Sequence, residues 1–139
     1  MNKLVPYINF ADQGQEAIEF YKSIFGGEAE IQLVKDSPAA GGMPKEWSER
    51  IFHMYYKAGD IELMGSDVMS DQAGKVVGNV FSLALNCDSA EELQKYFDGL
   101  SDGGKVVWPV RDSEWGDVFA QVVDKFGLQW MMNYHREEA

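Results

Sequence analysis

The sequence predicts an α+β chain built from two copies of a βαβββ module, and three observations carry that expectation. The first is a weak internal repeat, in which a strand, a helix and three further strands follow one another twice along the 139 residues. The second is a hairpin near the C-terminus. There the runs 118–123 and 128–133 flank Asp124-Lys125-Phe126-Gly127, a turn in which Gly127 can adopt positive φ. The third is matched helical spacing: Ile18, Tyr21 and Phe25 in the first copy correspond to Leu93, Tyr96 and Leu100 in the second.

In chain order, the first module (about 3–66) opens with a strand at 4–10, passes through a helix at 13–25 and adds strands at 28–35, 50–57 and 60–65. A linker follows at 67–78. The second module (about 79–134) opens with a strand at 79–86, has a helix at 89–100 and adds strands at 105–110, 118–123 and 128–133, so that residues 1–139 form one domain of two halves. Asp12 with Gln15, and Asp88 with Glu91, have capping-box spacing at the two helix starts. Gly26-Gly27 and Gly103-Gly104 supply left-handed stops at the other ends. The segment 36–47, with two prolines and a Gly-Gly pair, reads as a mobile loop. A lone four-stranded module would expose strand edges and an apolar face, so the modules must pack together within one chain or across a dimer.

Composition narrows the function classes. Hydrophobic residues make up 45%, which argues for a packed core. No apolar run approaches the ~20 residues of a membrane span, and the start of the chain lacks the apolar region of a signal peptide, so the expected location is cytoplasmic. Cys87 is the only cysteine, which excludes an internal disulfide and cysteine-cluster metal sites; it is expected to be a buried structural thiol. The formal charge of −11 is spread over both halves without a basic patch, which makes nucleic acid and anionic membranes poor partners.

Strand alternation assigns the faces. Ile8, Phe10, Phe52, Met54, Tyr56, Ile61, Leu63, Phe81, Leu83 and Leu85 suit a helix-packed core. Tyr7, Asn9, Ile51, His53, Tyr55, Glu62, Met64, Ser82 and Asn86 then fall on the opposite face. His53 beside Glu62 is the sharpest constellation: as neighbours across two strands, the carboxylate would orient the imidazole as a general acid or base. The competing reading has His53 hydrogen-bonded to Tyr55 or to backbone in a partly wet cavity. His135, in the terminal His-Arg-Glu-Glu run, is expected to be solvated.

The pattern Trp115-Gly116-Asp117-x-Phe119-x-x-Val122-x-Asp124-x-Phe126-Gly127-x-x-Trp130-Met131-x-Asn133 resembles the C-terminal signature of PhnB-like proteins. These belong to the vicinal oxygen chelate superfamily, with the glyoxalase I, bleomycin-resistance and extradiol dioxygenase families. Pro6-Tyr7-Ile8-Asn9-Phe10, Ala17-Ile18-Glu19-Phe20-Tyr21, Phe25-Gly26-Gly27, His53 and Leu63-Met64-Gly65-Ser66-Asp67 are also similar to that family, so the resemblance runs over residues 4–133. It implies a cupped mixed sheet whose concave face holds the ligand. It also implies that the superfamily's metal-ligand positions fall on Val5 or Pro6, Glu62, Ser82 and Met131. Only Glu62 is a good donor for a divalent ion, so no firmly bound metal and no cofactor are expected.

Catalytic candidates are thus His53 and Glu62, and ligand-binding candidates are Tyr7, Asn9, Tyr55, Met64, Ser82, Trp115 and Met131. Trp108 and Trp130 are further aromatic candidates, and the resemblance turns Met131 rather than Trp130 toward the cup. Trp115 is expected near the cavity mouth or a subunit contact, since the expected partners are a small-molecule ligand and a second copy of the chain. Two readings stand: a binding module that sequesters a small organic molecule, or a glyoxalase-type lyase, isomerase or transferase that moves a proton through His53 and Glu62, with or without a weakly held metal. A 3-demethylubiquinone methyltransferase-like designation often accompanies PhnB-like domains, but the sequence has no Gly-rich strand-to-helix turn for a dinucleotide-like cofactor.

Overall fold

The computed structural model describes residues 3–38, 40–67, 81–112 and 116–136, and within them both modules fold to the same plan. In the first, β1 (Tyr7–Phe10), α1 (Gly14–Phe25), β2 (Glu28–Leu33), β3 (Ile51–Ala58) and β4 (Ile61–Asp67) form a sheet of order β1-β4-β3-β2 with one helix. In the second, β5 (Leu83–Asn86), α2 (Ala90–Ser101), β6 (Lys105–Asp112), β7 (Val118–Val123) and β8 (Gln129–Tyr134) give the order β5-β8-β7-β6. Both sheets are mixed: the first strand pairs parallel to the last and the other pairings are antiparallel. The chain divides after Val76 into two compact units.

Each helix covers one face of its own sheet. In the first unit Ile8, Phe10, Met54, Tyr56 and Leu63 meet Ala17, Ile18, Tyr21 and Ile24, all buried. In the second, Trp130, Met132, Ala120 and Val122 meet Leu93 and Leu100. Full burial of such side chains stabilises by roughly 1.5–3 kcal/mol each, which makes these two clusters the main source of stability. Glycines recur at matched positions. A Cβ on Gly27 would lie 2.3 Å from the Lys57 carbonyl oxygen, and one on Gly104 would lie 2.3 Å from that of Val123. Each glycine lets the strand after the helix start against the end of its neighbour.

The helix starts differ from the capping boxes expected. Asp88 and Glu91 are each one residue early: Ser89 is the N-cap, its hydroxyl accepts from the Glu92 amide at 3.0 Å, and the Glu92 carboxylate accepts from the Asp88 amide at 3.1 Å. α1 has no side-chain cap from its own N-cap Gln13, so the Asp12–Gln15 box does not form. Its first amide, Gly14, instead donates at 2.8 Å to Asp67, 53 residues away at the end of β4. The other Asp67 oxygen accepts from the Ile51 amide at 2.7 Å, so one buried carboxylate ties together the starts of α1 and β3 and the end of β4.

Two core assignments also change. Opposite Gln32 and Leu33, β3 contributes His53 and then Ile51, so Phe52 is the extra residue of a bulge. The bulge turns Ile51 onto the helix side, where it is fully buried, and leaves Phe52 only partly covered. Phe81 lies ahead of β5 and is 71% exposed rather than core. The segment 36–47, expected as a mobile loop, carries short 3-10 turns at Val34–Asp36, Ala40–Gly42 and Lys45–Trp47. No described helix is long and apolar enough to cross a membrane.

The signature hairpin is held by its aspartates. Asp124 accepts from the amides of Phe126 at 2.8 Å and Leu128 at 3.1 Å, and from the Trp130 indole at 2.9 Å, while Gly127 takes φ 93° to close the turn. Asp117, 7% exposed, accepts from the Asn133 amide at 3.0 Å and lies 2.7 Å from His135 Nδ1.

Candidate functional site

The candidate site is the face of the first sheet turned away from α1. Pairing partners share a face, so the register builds it row by row. Tyr7 lies beside Met64, Met64 beside Tyr55 and Tyr55 beside Glu30, so two phenol rings flank a thioether across three strands. The neighbouring row contains Asn9, Ser66, His53 and Gln32; Asn9 pairs with Ser66 and His53 with Gln32. The Tyr7 and His53 rings sit 6.0 Å apart, tilted by 32°. Tyr7 is 46% exposed, and His53, Tyr55 and Met64 are half-buried, so the row is open to a ligand.

The expected His53–Glu62 pair does not form. The β3–β4 hairpin places Lys57 opposite Glu62, four residues along β3 from His53, a distance of about 13 Å along the strand. The Glu62 side chain, 12% exposed, instead accepts a hydrogen bond from the Tyr55 hydroxyl and forms an ion pair with Lys3. These contacts hold the carboxyl below its usual range, with the Lys3 bond the larger cause and the Tyr55 bond next. The same contacts raise Lys3 and Tyr55, mainly through their bonds to Glu62. At neutral pH the cluster is a carboxylate held between an ammonium and a phenol.

Sequence reasoning missed Lys3, because no periodicity relates the residues before β1 to β4. The turn itself is legible in the sequence: Gly59 and Asp60 alone separate the paired residues Ala58 and Ile61, and a two-residue turn of that kind places Lys57, not His53, across from Glu62.

In the second unit Met131 lies on the face away from α2, beside Ala84 and Gln121, and Gln121 pairs with Trp108. Arg111 packs over the Trp108 ring at 4.5 Å. Trp130 faces α2 and is 1% exposed, which removes it from the pocket candidates. Ser82 is half-buried just ahead of β5, and Trp115 lies outside the described residues. Cys87 is buried, and burial pushes its thiol up to about 11.

The donor set does not suit a divalent metal. Val5 or Pro6, Ser82 and Met131 are poor ligands, and both oxygens of Glu62 are engaged, one by Lys3 and the other by Tyr55. Among the described residues, no three His, Cys, Asp or Glu side chains form a group able to hold a metal ion.

Comparisons with known proteins agree with the topology. Over residues 2–133 the chain matches the family model described as 3-demethylubiquinone-9 3-methyltransferase. It is 29% identical to protein YjdN of Escherichia coli K12, with 97% of each chain covered. Among solved structures, protein PA1353 from Pseudomonas aeruginosa superposes with a TM-score of 0.86 at 30% identity, covering 99% of this chain and 100% of the other. The PhnB protein of Bacillus cereus superposes with a TM-score of 0.75 at 22% identity over 96% and 99% of the two chains, a likeness of fold. By a family match over nearly its whole length the chain belongs to the 3-demethylubiquinone-9 3-methyltransferase family, and its twofold βαβββ plan is the fold of the vicinal oxygen chelate type.

Proposed function

We propose that this protein binds a small organic molecule carrying a flat ring, on the open face of its first sheet and without a firmly bound metal. One observation carries the reading: the Tyr7–Met64–Tyr55 row, an apolar aromatic shelf bordered by the Lys3–Glu62–Tyr55 cluster on one side and the Asn9, Ser66, His53 and Gln32 row on the other. Binding sites of this kind are mostly apolar with a few placed polar groups. The shelf takes the ring, and the polar rows orient its substituents.

The enzyme reading loses its main support because His53 and Glu62 do not work as a pair. Tyr55, bonded to Glu62 and with its ionisation pushed up, is also a poor proton donor. Methyl transfer, which the family's description names, would need a methyl donor; no group on the described face speaks for one. A homodimer in the cytoplasm, in contact with neither nucleic acid nor membrane, completes the proposal. It rests on the acidic charge and on the strand edges left by each sheet.

Native mass spectrometry of freshly purified protein, with elemental analysis of the same sample, tests the reading. The expected result is a retained small organic mass, substoichiometric metal, and loss of the organic mass in Met64→Arg, which puts a charge in the middle of the shelf. About one tightly held Zn, Fe or Mn per chain that disappears in Glu62→Ala would overturn it, as would ligand retention unchanged by Met64→Arg. Sedimentation as a monomer at micromolar concentration would remove the dimer.

A further inference from the structure

The open face of the second sheet carries a cation held on an aromatic ring, and a local irregularity of β6 puts the two together. Trp108 and Arg111 are three residues apart, so strict alternation would send their side chains to opposite faces. Their partners on β7, Gln121 and Phe119, are only two apart, so β6 contributes one residue more than the ladder needs. Gln121 alternates with buried Ala120 and Val122 and therefore faces away from α2. The extra residue, with Pro109 in the interval, brings Trp108 and Arg111 onto that same side, where the guanidinium lies over the indole at 4.5 Å.

Pairing partners extend this corner across the sheet. Arg111 lies beside Phe119, Phe119 beside Asn133 and Asn133 beside Asn86. Trp108 lies beside Gln121, Gln121 beside Met131 and Met131 beside Ala84. No carboxylate stands in either row, although the chain as a whole has a formal charge of −11. The acidic groups that flank the first row are engaged: Asp117 accepts from Asn133 at 3.0 Å and contacts His135 at 2.7 Å, and Asp112 is bound to Arg136 at 2.7 Å. Among the described residues, none forms an ion pair with Arg111. Arg111 is exposed, Trp108 is 44% exposed, and Phe119, Gln121 and Met131 are half-buried, so the corner is open to a ligand.

A guanidinium stays charged, can only donate, and offers its N–H groups in a rigid fork that fits the two oxygens of a carboxylate. One such cation balances one negative charge. Phe119 and Met131, diagonal neighbours on the same face, offer apolar surface beside it rather than further donors. We infer that this face binds a small aromatic carboxylate. Arg111 takes the carboxylate, the ring lies against Phe119 and Met131, and Trp108 holds the guanidinium in place. A cation of the same shape meets the Arg111 charge, and a neutral ring leaves the fork unfilled.

The test is an NMR titration of the full chain, resolved at backbone amides and indole N–H groups, with benzoate. Benzamide, which has the shape without the charge, and acetate, which has the charge without the ring, are the controls. Saturable shifts are expected with benzoate at Arg111, Phe119, Gln121, Met131 and the Trp108 indole, with affinity about fivefold or more lower for either control. Arg111→Gln should weaken benzoate by about tenfold, and Arg111→Lys, which keeps the charge and loses the fork, should recover only part of that. Both changes fall on an exposed side chain, so the fold survives them. An equal response to benzamide or to acetate, no saturation, shifts confined to the first sheet, or wild-type affinity in Arg111→Gln would overturn the inference. So would a face silent to benzoate because a second copy of the chain covers it.

Discussion

Replacing Asp67 by alanine should destabilise the first module more than any exposed substitution in it. Its carboxylate is 2% exposed and serves two backbone amides with different oxygens: Gly14 at 2.8 Å and Ile51 at 2.7 Å. Gly14 is one of the first amides of α1, which have no partner within the helix, so Asp67 supplies what the local sequence does not. A hydrogen bond to a charged group contributes about 1.5–3 kcal/mol, and two give about 3–6. Part of that is offset, because burial raises the Asp67 pKa above 3.8 and so disfavours its ionised form. A net cost of about 2–4 kcal/mol remains, which moves a urea midpoint by about 1–2 M. Asp67→Asn keeps an oxygen for one amide and turns an N–H toward the other, so it retains at most part of the effect. The pH dependence has a definite sign. The folded carboxyl binds its proton more tightly than the unfolded one, so wild type gains on the non-titrating Asn variant as pH falls from 7 through the raised pKa. Urea denaturation of the three proteins at pH 7 and near pH 4.5 measures both effects. An Asp67→Ala midpoint within experimental error of wild type would refute the tie between α1, β3 and β4.

Glu62 should behave in the opposite sense: its folded pKa is depressed, so the stabilisation it gives is complete above 4.5 and is lost as pH falls below that value toward the folded pKa. Carboxyl-carbon NMR should show it titrating below 4.5, and Lys3→Met should bring it back up. Cys87, with its thiol at about 11, should react with iodoacetamide at pH 8 about 100-fold more slowly than an ordinary exposed cysteine, and reaction at the ordinary rate would show an open thiol. Asp124→Ala and Trp130→Phe should couple by about 1–2 kcal/mol in a double-mutant cycle of unfolding, since the indole donates to that carboxylate at 2.9 Å; additive effects would remove that bond from the stability of the hairpin.

The fold was legible because it is written in periodicities that local physics enforces. The spacing of Ile18, Tyr21 and Phe25 gives a helix, and the runs on either side of Gly127 give a hairpin; neither depends on distant residues. What could not be read locally were the exceptions set by tertiary contact. The bulge at Phe52 reverses Ile51 without leaving a mark in the alternation. The cap of α1 comes from Asp67, far along the chain. Alternation along β8 puts Met131 and Trp130 on opposite faces, but which of them turns away from the helix is not set by alternation and came from the family resemblance. His53 and Glu62 are separated for a different reason: they share a face, but the turn at Gly59-Asp60 sets which residues meet and brings Lys57 to Glu62. Lys3, the strongest partner of Glu62, lies ahead of β1, where no pattern marks it.

The residues that identify the family explain why its members can change chemistry. Asp124 organises a turn and an indole, Asp117 joins the start of β7 to the end of β8, and Asp67 joins three elements of the first module. Each is buried and satisfies groups that the fold itself exposes, so each is required whatever ligand is bound. The shelf residues Tyr7, Tyr55 and Met64 are not buried in the core, and their side chains support none of these ties. Substitution there should cost little stability and, on the proposed reading, alter what is bound, while substitution at the three aspartates should weaken the scaffold whatever the ligand. A signature made of such residues therefore assigns the fold over almost the whole chain. The chemistry has to be read from the open face, where this chain presents aromatic rings, a thioether and a carboxylate already held by its own lysine and tyrosine.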